Sequence, residues 1–419
     1  MKKILITNNS QIHLSTAGGY SKQIYYLFKI FKELGYEIHY LMYAFNLDNN
    51  ESHIKQYTYY DFQELYRNSS EYNYIQLLDD EIIKEVLYYS VQEKQNKERV
   101  VDAKIINDIV ETYNIDLFLC LGDAFVFREN KENAYSVPSY YWYPCHYYPF
   151  SKFDCLGINS FSNILSLSPS LKIAIEQQFP NKKVYYLPHI VEKPDTELNK
   201  EHIRKKWKMP NDKHIVLLVC NLFHEQQDTY IVNRKSIDTQ LIAFKKFNEK
   251  YSNTLLFIHS VKEQYSKIYP LEDLIEKLDF NKENFIWNKE LLCEIELHEL
   301  YEMADTFLNC TKAEGFGVPI LEAQSHNLNV VTNNFCSMRE HNFQDNIAEV
   351  SSVSINYGLS GNWAMPSSEN IFNILEELYL NGLEKNKIKQ NRSKWIVNEL
   401  TSYNNIKNKL HKIIQYNTK

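Results

Sequence analysis

The sequence predicts an α/β fold with two doubly wound domains that face a cleft. Short apolar runs of strand length alternate with segments of helical periodicity along most of the 419 residues. A polar stretch that contains two prolines, residues 193–213, interrupts this alternation once, and the alternation then starts again. The chain is also longer than one hydrophobic core usually accommodates. Two such series imply two parallel sheets, and ligands of such sheets bind at the carboxyl ends of the strands.

The first domain, predicted over residues 1–192, is Rossmann-like. An apolar run near the amino terminus is followed by a polar loop with Gly18 and Gly19, and then by a helical periodicity that ends at Gly35. Residues 57–113 are polar with a helical tendency and are not divided further. Strands are predicted within residues 3–7, 37–45, 115–123, 137–149, 164–168 and 183–192, and a helix is predicted to begin at Ser168 and Pro169. The order of strand, loop, helix and strand is that of a doubly wound sheet.

The second domain is predicted over residues 193–395. Its apolar runs are short, and segments of helical periodicity separate them. Strands are predicted within residues 214–223, 253–261, 284–288 and 306–311, and helices within residues 235–251, 271–278 and 295–304. This series again predicts a parallel sheet with helices between the strands.

The charge balance argues against one class of partner. The chain carries 53 acidic and 46 basic residues, which gives a net charge of −7. Proteins that bind nucleic acid generally neutralise its phosphates with an excess of lysine and arginine. Nucleic acid is therefore not an expected partner.

The apolar runs and the cysteines bear on the cellular compartment. The longest apolar runs, such as residues 215–220, are far shorter than the roughly 20 residues that cross a bilayer. Any membrane contact is thus expected to be peripheral. The seven cysteines form no C-x-x-C pair and lie mostly in apolar surroundings, as reduced buried thiols do. We expect a cytoplasmic protein.

The strongest functional signal is the stretch AEGFGVPILEA, residues 313–323. Two of only 10 glycines flank Phe316 here, just before Pro319. Proline favours the first turn of a helix, so Glu314 is expected on a loop and Glu322 about one turn into the helix. The glycines let backbone N–H groups approach a ligand, and the helix amino terminus favours an anion such as phosphate.

The two glutamates suit a ligand that carries a sugar on each side of a phosphate. Ionised carboxylates accept hydrogen bonds from the vicinal hydroxyls of a ribose or a hexose. The alternative is that Glu322 only stabilises the helix dipole and that the glycines only turn the chain. The pair alone favours this alternative, whereas its position late in a β/α series favours a ligand site.

The run IELHELYEMADTFLNCTKAEGFGVPILEA resembles the corresponding motif of retaining glycosyltransferases of the GT-B fold, glycosyltransferase family 4. The resemblance implies that Glu314 contacts the donor sugar near its reacting carbon and that Glu322 binds the ribose hydroxyls. It also implies that backbone amides contact sugar and phosphate around Phe316, Gly317 and Val318.

Weaker matches to the same family extend over most of the chain. RKSIDTQLIAF resembles its Arg-Lys-Gly segment, which implies that Lys235 neutralises the diphosphate leaving group. Gly18 and Gly19 resemble its amino-terminal glycine loop, which closes over the donor phosphates. Residues 396–419 resemble the carboxyl-terminal helix that crosses back to the first domain.

Two predicted strand ends of the first domain carry further candidates. Many members of the family have a histidine at the position of His146, where it points at the reacting face of the sugar. The alternative is a histidine satisfied within an aromatic wall. The aromatic residues around it could stack an acceptor sugar or only fill the core. Asp123 is a candidate for the acceptor side.

The sequence departs from the family pattern at two places. Asn221 stands where an arginine is common, and Arg234 either supplies the missing charge from a longer loop or faces solvent. Residues 323–331 lack the customary glycine and proline, which puts the local turn geometry in doubt.

The resemblance implies transfer of a hexose from a nucleotide diphosphate sugar, with a UDP- or GDP-sugar as first candidate, to an acceptor hydroxyl on a glycan, lipid or protein-linked sugar. The anomeric configuration would be retained, and the catalytic residues would be Glu314, His146 and Lys235. No cofactor is expected. Neither D-x-D nor H-E-x-x-H occurs, so no metal site of these types is expected.

Two other functions stay open. The same architecture serves sugar-nucleotide epimerases and glucan synthases. A catalytically silent, sugar-nucleotide-binding scaffold is an alternative from another class, although the presence of Lys235, Glu314 and Glu322 together argues against it.

Overall fold

Two compact units make up the chain. A computed structural model describes residues 1–8, 19–42, 54–58, 81–91, 103–123, 131–145, 148–194, 199–220, 234–260, 271–356 and 361–417. Unit 1 comprises Met1–Cys145, Phe150–Ile190 and Tyr403–Lys419, and unit 2 comprises His146–Pro149 and Val191–Ser402.

Unit 1 contains an eight-stranded sheet in the part of the chain that the structure describes. Its strands are Lys2–Asn8 (β1), Tyr36–Met42 (β2), Ile54–Tyr57 (β3), Leu87–Val91 (β4), Leu117–Leu121 (β5), Ser139–Tyr143 (β6), Asn163–Ser166 (β7) and Lys183–Tyr186 (β8). Their order across the sheet is β3-β4-β2-β1-β5-β6-β7-β8. All neighbours pair in parallel except β3, which runs antiparallel to β4 at one edge. The order reverses direction at β1, as in doubly wound sheets.

The central strands of this sheet are buried on both faces. Every residue of β5, β6 and β7 is buried, which explains why these strands appear in the sequence as apolar runs without alternation. The helices between the strands are Gly19–Glu33 (α1), Glu81–Lys84 (α2), Ala103–Tyr113 (α3), Lys152–Ser160 (α4) and Pro169–Gln178 (α5).

Two of these helices begin at recognisable caps. Ser151 and Asp154 form a reciprocal capping box at the start of α4. Ser168 caps α5, where Pro169 occupies the first turn. The helix start predicted at Ser168 and Pro169 is therefore confirmed.

The described part of residues 57–113 contains two helices and also a strand that the sequence left unresolved. The described part contains the strand β4 as well as α2 and α3, and β4 pairs with both β2 and β3. Its sequence, LYYSV, is rich in tyrosine, and Tyr88 and Tyr89 are buried. Aromatic residues favour strands, but two adjacent tyrosines give no period-2 alternation, so the pattern hid this strand.

Unit 2 contains a six-stranded parallel sheet and a separate hairpin among its described residues. The sheet strands are His214–Val219 (β9), Thr254–His259 (β10), Phe285–Asn288 (β11), Thr306–Asn309 (β12), Asn329–Asn333 (β13) and Ile347–Ala348 (β14). They lie in the order β11-β10-β9-β12-β13-β14. Val350–Asn356 (β15) and Gly361–Pro366 (β16) pair antiparallel. The two parallel α/β sheets confirm the predicted fold class.

The helices of unit 2 pack on both faces of its sheet, over two separate clusters of buried apolar residues. They are Lys200–Lys206 (α6), Ile237–Lys250 (α7), Leu271–Leu278 (α8), Glu294–Met303 (α9), Val318–Ser325 (α10), Cys336–His341 (α11) and Ser368–Thr401 (α12). None of the described helices has the length and apolar character that a bilayer span requires.

The chain re-enters unit 1 through a last helix, Tyr403–Asn417 (α13). The sequence suggested one continuous helix across this region, but Ser402 is extended, with φ −60° and ψ 146°, and separates α12 from α13. Within unit 1, Lys407 of α13 forms an ion pair with Glu33 of α1 at 2.8 Å.

A buried ion pair connects α6 to the sheet of unit 2. The guanidinium of Arg204 donates to the carboxylate of Asp305 at 2.7 Å and to the carbonyl of Met303 at 2.8 Å. Asp305 also accepts from the backbone N–H of Ile215 at 2.7 Å. Arg204 is only 4% exposed, so the pair is shielded from water and its loss would leave Asp305 with one charged partner, Lys200.

Replacing Arg204 with methionine should destabilise the protein, because it removes one partner of a buried pair. We expect a loss of about 3 kcal/mol, which corresponds to a fall of roughly 6–12 °C in Tm for a unit of this size. Lys205→Met, at an exposed position of the same helix, is the control and should change Tm by less than about 2 °C. Thermal unfolding followed by circular dichroism measures both, and equal shifts for the two variants would show that the pair is not what holds α6.

Candidate functional site

The loop of residues 310–317 joins the end of β12 to the start of α10 in unit 2. Gly317 is the residue before the helix and has φ 82° and ψ 50°, the left-handed region that favours glycine. Pro319 lies in the first turn and has no N–H, and the N–H of Ile320 donates to the carbonyl of Gly317 at 2.9 Å. The amides that this helix start can offer to an anion are therefore those of Gly317 and Val318.

Side chains of the following helix hold the 310–317 loop in place. The hydroxyl of Ser337 donates to the carbonyl of Glu314 at 2.8 Å. Nδ1 of His341 donates to the carbonyl of Phe316 at 2.6 Å, and the two rings meet edge to face with centroids 4.5 Å apart. Burial lowers the pKa of His341, so its ring is neutral with the proton on Nδ1. The loop backbone is thus fixed from α11.

Glu314 meets two cations from the segment before α7. Its carboxylate lies 2.5 Å from Nζ of Lys235 and 3.6 Å from the guanidinium of Arg234. Arg234 also donates to the carbonyl of Ala313 at 2.8 Å. The side chains of Glu314, Lys235 and Arg234 are 13%, 15% and 23% exposed, so all three charges lie mostly out of water.

Two opposing effects set the pKa of Lys235. Burial lowers the pKa of its ammonium group, and the nearby carboxylate of Glu314 raises it in part. The net shift is downward, so Lys235 loses its proton at a lower pH than an exposed lysine does. A cation that is only partly compensated suits a site for an anionic group.

Gln240 joins the two segments that carry these charges. Its amide nitrogen donates to the carbonyl of Lys235 at 2.7 Å, and its amide oxygen accepts from the N–H of Cys310 at 3.0 Å. The N–H of Lys312 donates directly to the carbonyl of Arg234 at 2.8 Å. Gln240 is 1% exposed, so these bonds are protected from water and fix the distance between the segments.

Ser236 occupies the third position of the segment that resembles Arg-Lys-Gly. It adopts φ 48° and ψ 43°, which is the left-handed region. Glycine fits this conformation without strain, and serine accepts it at some cost. The conformation explains why the pattern has glycine here.

Glu322 lies in α10 and is 5% exposed. Its carboxylate accepts from the hydroxyl of Tyr301 in α9 at 2.9 Å. The sequence placed Glu322 about one turn into the helix, and α10 begins at Val318 as that expectation requires. The structure thus brings Glu314, Gly317 and Glu322 onto one loop and the helix that follows it.

The remaining predicted residues belong to other segments. In unit 1, Gly19 is the first residue of α1, and Asp123 follows β5 and accepts from the hydroxyl of Tyr20 at 3.2 Å. These residues share the carboxyl edge of the sheet, since β1 and β5 are neighbours. Gly18, His146 and Asn221 lie outside the described residues.

A match to known proteins covers this part of unit 2. Residues 199–395, which include Lys235, Glu314 and Glu322, match the family model Glycosyl transferases group 1. This part of unit 2 is similar to the glycosyl transferases of group 1. No curated protein matches the chain significantly in sequence.

Solved structures of similar fold span the whole chain. A glycosyltransferase from Rickettsia africae ESF-5 has a TM-score of 0.66 at 14% identity and covers 98% of this chain and 97% of its own. Sucrose-phosphate synthase from Thermosynechococcus elongatus has a TM-score of 0.69 at 11% identity and covers 99% of both chains. An E. coli structure described as trehalose-6-phosphate bound with UDP-2-fluoro glucose has a TM-score of 0.65 at 9% identity and covers 98% of both. The fold is that of GT-B glycosyltransferases.

Several residues around the candidate site were not singled out from the sequence. Lys312 is 6% exposed, burial lowers its pKa, and the charge of Asp238 opposes that shift. Gln240, Ser337, His341 and Tyr301 hold the loops and Glu322, as described above. Only Lys312 gave a signal, as a cation directly after a strand, because the others act through contacts between segments distant in sequence.

Metal ligands do not cluster in the described part of the molecule. Across the described ranges no group of three or more His, Cys, Asp or Glu side chains has the spacing to hold an ion. The basic residues in the two segments that Gln240 joins are Arg234, Lys235 and Lys312.

Gly317→Ala should destabilise the protein more than a glycine-to-alanine change at another left-handed position. A Cβ at Gly317 would lie 2.7 Å from Cδ1 of Ile320, whereas one at Gly35, with φ 78°, meets nothing within 4 Å. We expect Gly317→Ala to cost about 1–3 kcal/mol more than Gly35→Ala, as overpacking does.

Removing the clashing atom is the internal control for this prediction. Ile320→Val deletes Cδ1, so the double variant G317A/I320V should recover part of the loss of G317A alone. The check is the urea midpoint of each variant, and a double variant that is no more stable than G317A would show that the Ile320 contact is not the cause.

Proposed function

We propose that the chain is a retaining glycosyltransferase of family 4 that moves a hexose from a nucleotide diphosphate sugar to an acceptor hydroxyl. One observation supports this more than any other: Lys235 and Arg234 converge on Glu314 beside the start of α10. This arrangement lies within the segment that matches the Glycosyl transferases group 1 model. It brings cations, helix amides and a carboxylate together, which supports binding of a sugar joined to a diphosphate.

The diphosphate of the donor would bind between the cations and the helix start. The amides of Gly317 and Val318 and the positive end of α10 favour an anion, and Lys235 and Arg234 add two charges. Because these groups are largely buried, their attraction for the diphosphate is stronger than it would be in water. Binding would draw Lys235 from Glu314 toward phosphate oxygen.

Glu314 and Glu322 would then take the sugars on either side. With Lys235 engaged by phosphate, the carboxylate of Glu314 can accept hydrogen bonds from the hexose near its reacting carbon. Glu322, one turn into α10, would accept from the hydroxyls of the ribose. A UDP-sugar is our first candidate because one structure of similar fold is described as bound with UDP-2-fluoro glucose, and a GDP-sugar is the second.

The transfer step needs stabilisation of charge more than a covalent nucleophile. The bond between the anomeric carbon and a diphosphate oxygen breaks, and its electron pair leaves with the diphosphate. The acceptor oxygen bonds to the same carbon on the same face, and its proton passes to a diphosphate oxygen. Lys235 would stabilise the charge that develops on the leaving group, so that no metal ion is required.

The acceptor side is proposed from residues of the first domain predicted from the sequence. Gly18 and Gly19 would close over the donor phosphates, Asp123 would contact the acceptor, and His146 would approach the reacting face of the sugar. These assignments come from the family resemblance, and substitution of each residue by alanine tests them separately.

The test of the proposal is release of nucleoside diphosphate from a panel of UDP-, GDP-, ADP- and dTDP-sugars, with water and simple sugars as acceptors. Lys235→Met should lower kcat by about 100- to 1,000-fold, as loss of a group that stabilises transition-state charge does. Lys246→Met, at an exposed position of α7, the helix that follows Lys235, should stay within about twofold of wild type. Activity of wild type should persist in EDTA.

Protonation of Lys235 should also set an alkaline limit on kcat/KM. The charged form is needed, and its pKa is lowered by burial, so activity should be present below that pKa and lost as pH rises through it. The limit should fall at lower pH than the ordinary range of lysine, and Lys235→Arg should move it upward because arginine stays charged.

Other results would lead to other functions. Conversion of one sugar nucleotide into another without an acceptor would make the chain an epimerase. Binding without release of nucleoside diphosphate from any donor would favour the silent scaffold. Equal kcat for Lys235→Met and wild type would remove Lys235 from the mechanism.

A further inference from the structure

Glu322 is held by a tyrosine from a neighbouring helix. Tyr301 of α9 donates its hydroxyl to Oε2 of Glu322 at 2.9 Å. Tyr301 is fully buried and Glu322 is 5% exposed, so water competes little for this bond. Burial, reinforced by the charge of Glu322, raises the pKa of the phenol well above its usual value. The hydroxyl therefore keeps its proton and acts as the donor.

The ring of Tyr301 has little freedom to move. It stacks on His326 with centroids 5.8 Å apart and planes at 24°, and it meets Phe307 edge to face at 5.7 Å. A tyrosine has two side-chain torsions, and contacts on both sides of the ring fix both of them. The position of the hydroxyl is thus set by packing before any ligand binds.

The imidazole behind Tyr301 is itself anchored by a chain of hydrogen bonds. Nδ1 of His326 lies 2.8 Å from the carboxylate of Glu302, which also pairs with Lys193 at 3.0 Å. Nε2 of His326 lies 2.8 Å from Nδ1 of His298. Burial lowers the pKa of His326 to about 4, so the ring is neutral near pH 7.

The proton positions in this chain follow from the partners. The carboxylate of Glu302 can only accept, so Nδ1 of His326 carries the proton. Nε2 of a neutral His326 then accepts, and Nδ1 of His298 must donate to it. Each bond in the chain has one donor and one acceptor, so His326 is held in a single orientation under Tyr301.

The position of Glu322 explains why such anchoring has a use. A carboxylate can accept several hydrogen bonds over its two oxygens, so a bond from Tyr301 and bonds from a ligand are compatible on one side chain. Two vicinal hydroxyls can both reach one carboxylate only if it presents its oxygens at the right angle. A side chain that is already fixed loses less conformational entropy on binding.

We propose that Tyr301 is a positioning residue for donor recognition: it orients Glu322 so that this carboxylate receives the 2′- and 3′-hydroxyls of the ribose and thereby selects ribonucleotides. The inference rests on the proposed function, because it takes Glu322 as the group that meets the ribose. Tyr301 does not itself contact the donor in this account.

The experiment measures, for each variant, the ratio of the affinity for a ribonucleotide to the affinity for its 2′,3′-dideoxy form. UDP and 2′,3′-dideoxy-UDP are titrated by calorimetry into wild type and Tyr301→Phe, with GDP and its dideoxy form as a second pair. Wild type should bind the ribonucleotide of one pair more tightly. Tyr301→Phe should weaken that ribonucleotide by about five- to tenfold, the effect of one hydrogen bond. It should leave the dideoxy form within twofold, so that the ratio falls.

Three variants control for effects on folding and on packing. Tyr251→Phe deletes another tyrosine-glutamate bond of unit 2, to Glu376 at 2.8 Å, and should leave the ratio unchanged. The double variant Y301F/E322Q should show no lower ratio than E322Q, because both act through one carboxylate. If Y301F loses its cooperative melting transition, Phe307→Leu replaces it. That variant loosens the ring without touching its hydroxyl and should also lower the ratio.

The outcomes separate this inference from the proposed function. A lower ratio in Y301F with an unchanged ratio in Y251F supports the inference. Wild type that prefers the ribonucleotide, with the same ratio in Y301F, overturns the inference and leaves the proposed function standing. Wild type that binds both members of a pair equally overturns the ribose role of Glu322 and the inference with it. Absence of nucleotide binding by wild type overturns both.

Discussion

A lysine and a glutamate meet in unit 2 where both are largely removed from water, and most of the surrounding structure serves to hold them there. Lys235 and Glu314 lie 2.5 Å apart, at 15% and 13% exposure. Removing two charges from water is costly unless their pairing and further bonds compensate. Gln240 spans the two segments, and Ser337 fixes the carbonyl of Glu314. Stability alone does not explain so costly a pair. An anionic ligand that replaces Glu314 as the partner of Lys235 explains it better.

The rest of the site follows from this constraint. A ligand whose phosphate contacts Lys235 would lie beside the start of α10. Gly317, with its positive φ, and Pro319 shape the turn that leads from β12 into that helix. Glu322 then lies one turn further along, held from α9 by Tyr301. In the proposed complex, the cations and the helix start would meet the diphosphate, and Glu322 would meet the ribose. The match of residues 199–395 to Glycosyl transferases group 1 covers all three.

The sequence predicted the parts of this arrangement that depend on local pattern. The helix start at Pro169, the loop position of Glu314 and the helix position of Glu322 are set by neighbouring residues, and the structure has them there. The tyrosine-rich strand β4 was missed because its pairing with β2 and β3 determines it. The break at Ser402 was missed because the return of the chain to unit 1 determines it. Contacts such as those of Gln240 and Tyr301 join segments far apart in sequence. Such contacts cannot be predicted from residue spacing along the chain.

The most direct test is a crystal structure of the protein with UDP bound. The account predicts that the diphosphate lies within hydrogen-bond distance of Nζ of Lys235 and of the amides of Gly317 and Val318, with Lys235 drawn away from Glu314 and the ribose hydroxyls on Glu322. UDP bound elsewhere on unit 2, with Lys235 still paired to Glu314, would contradict it.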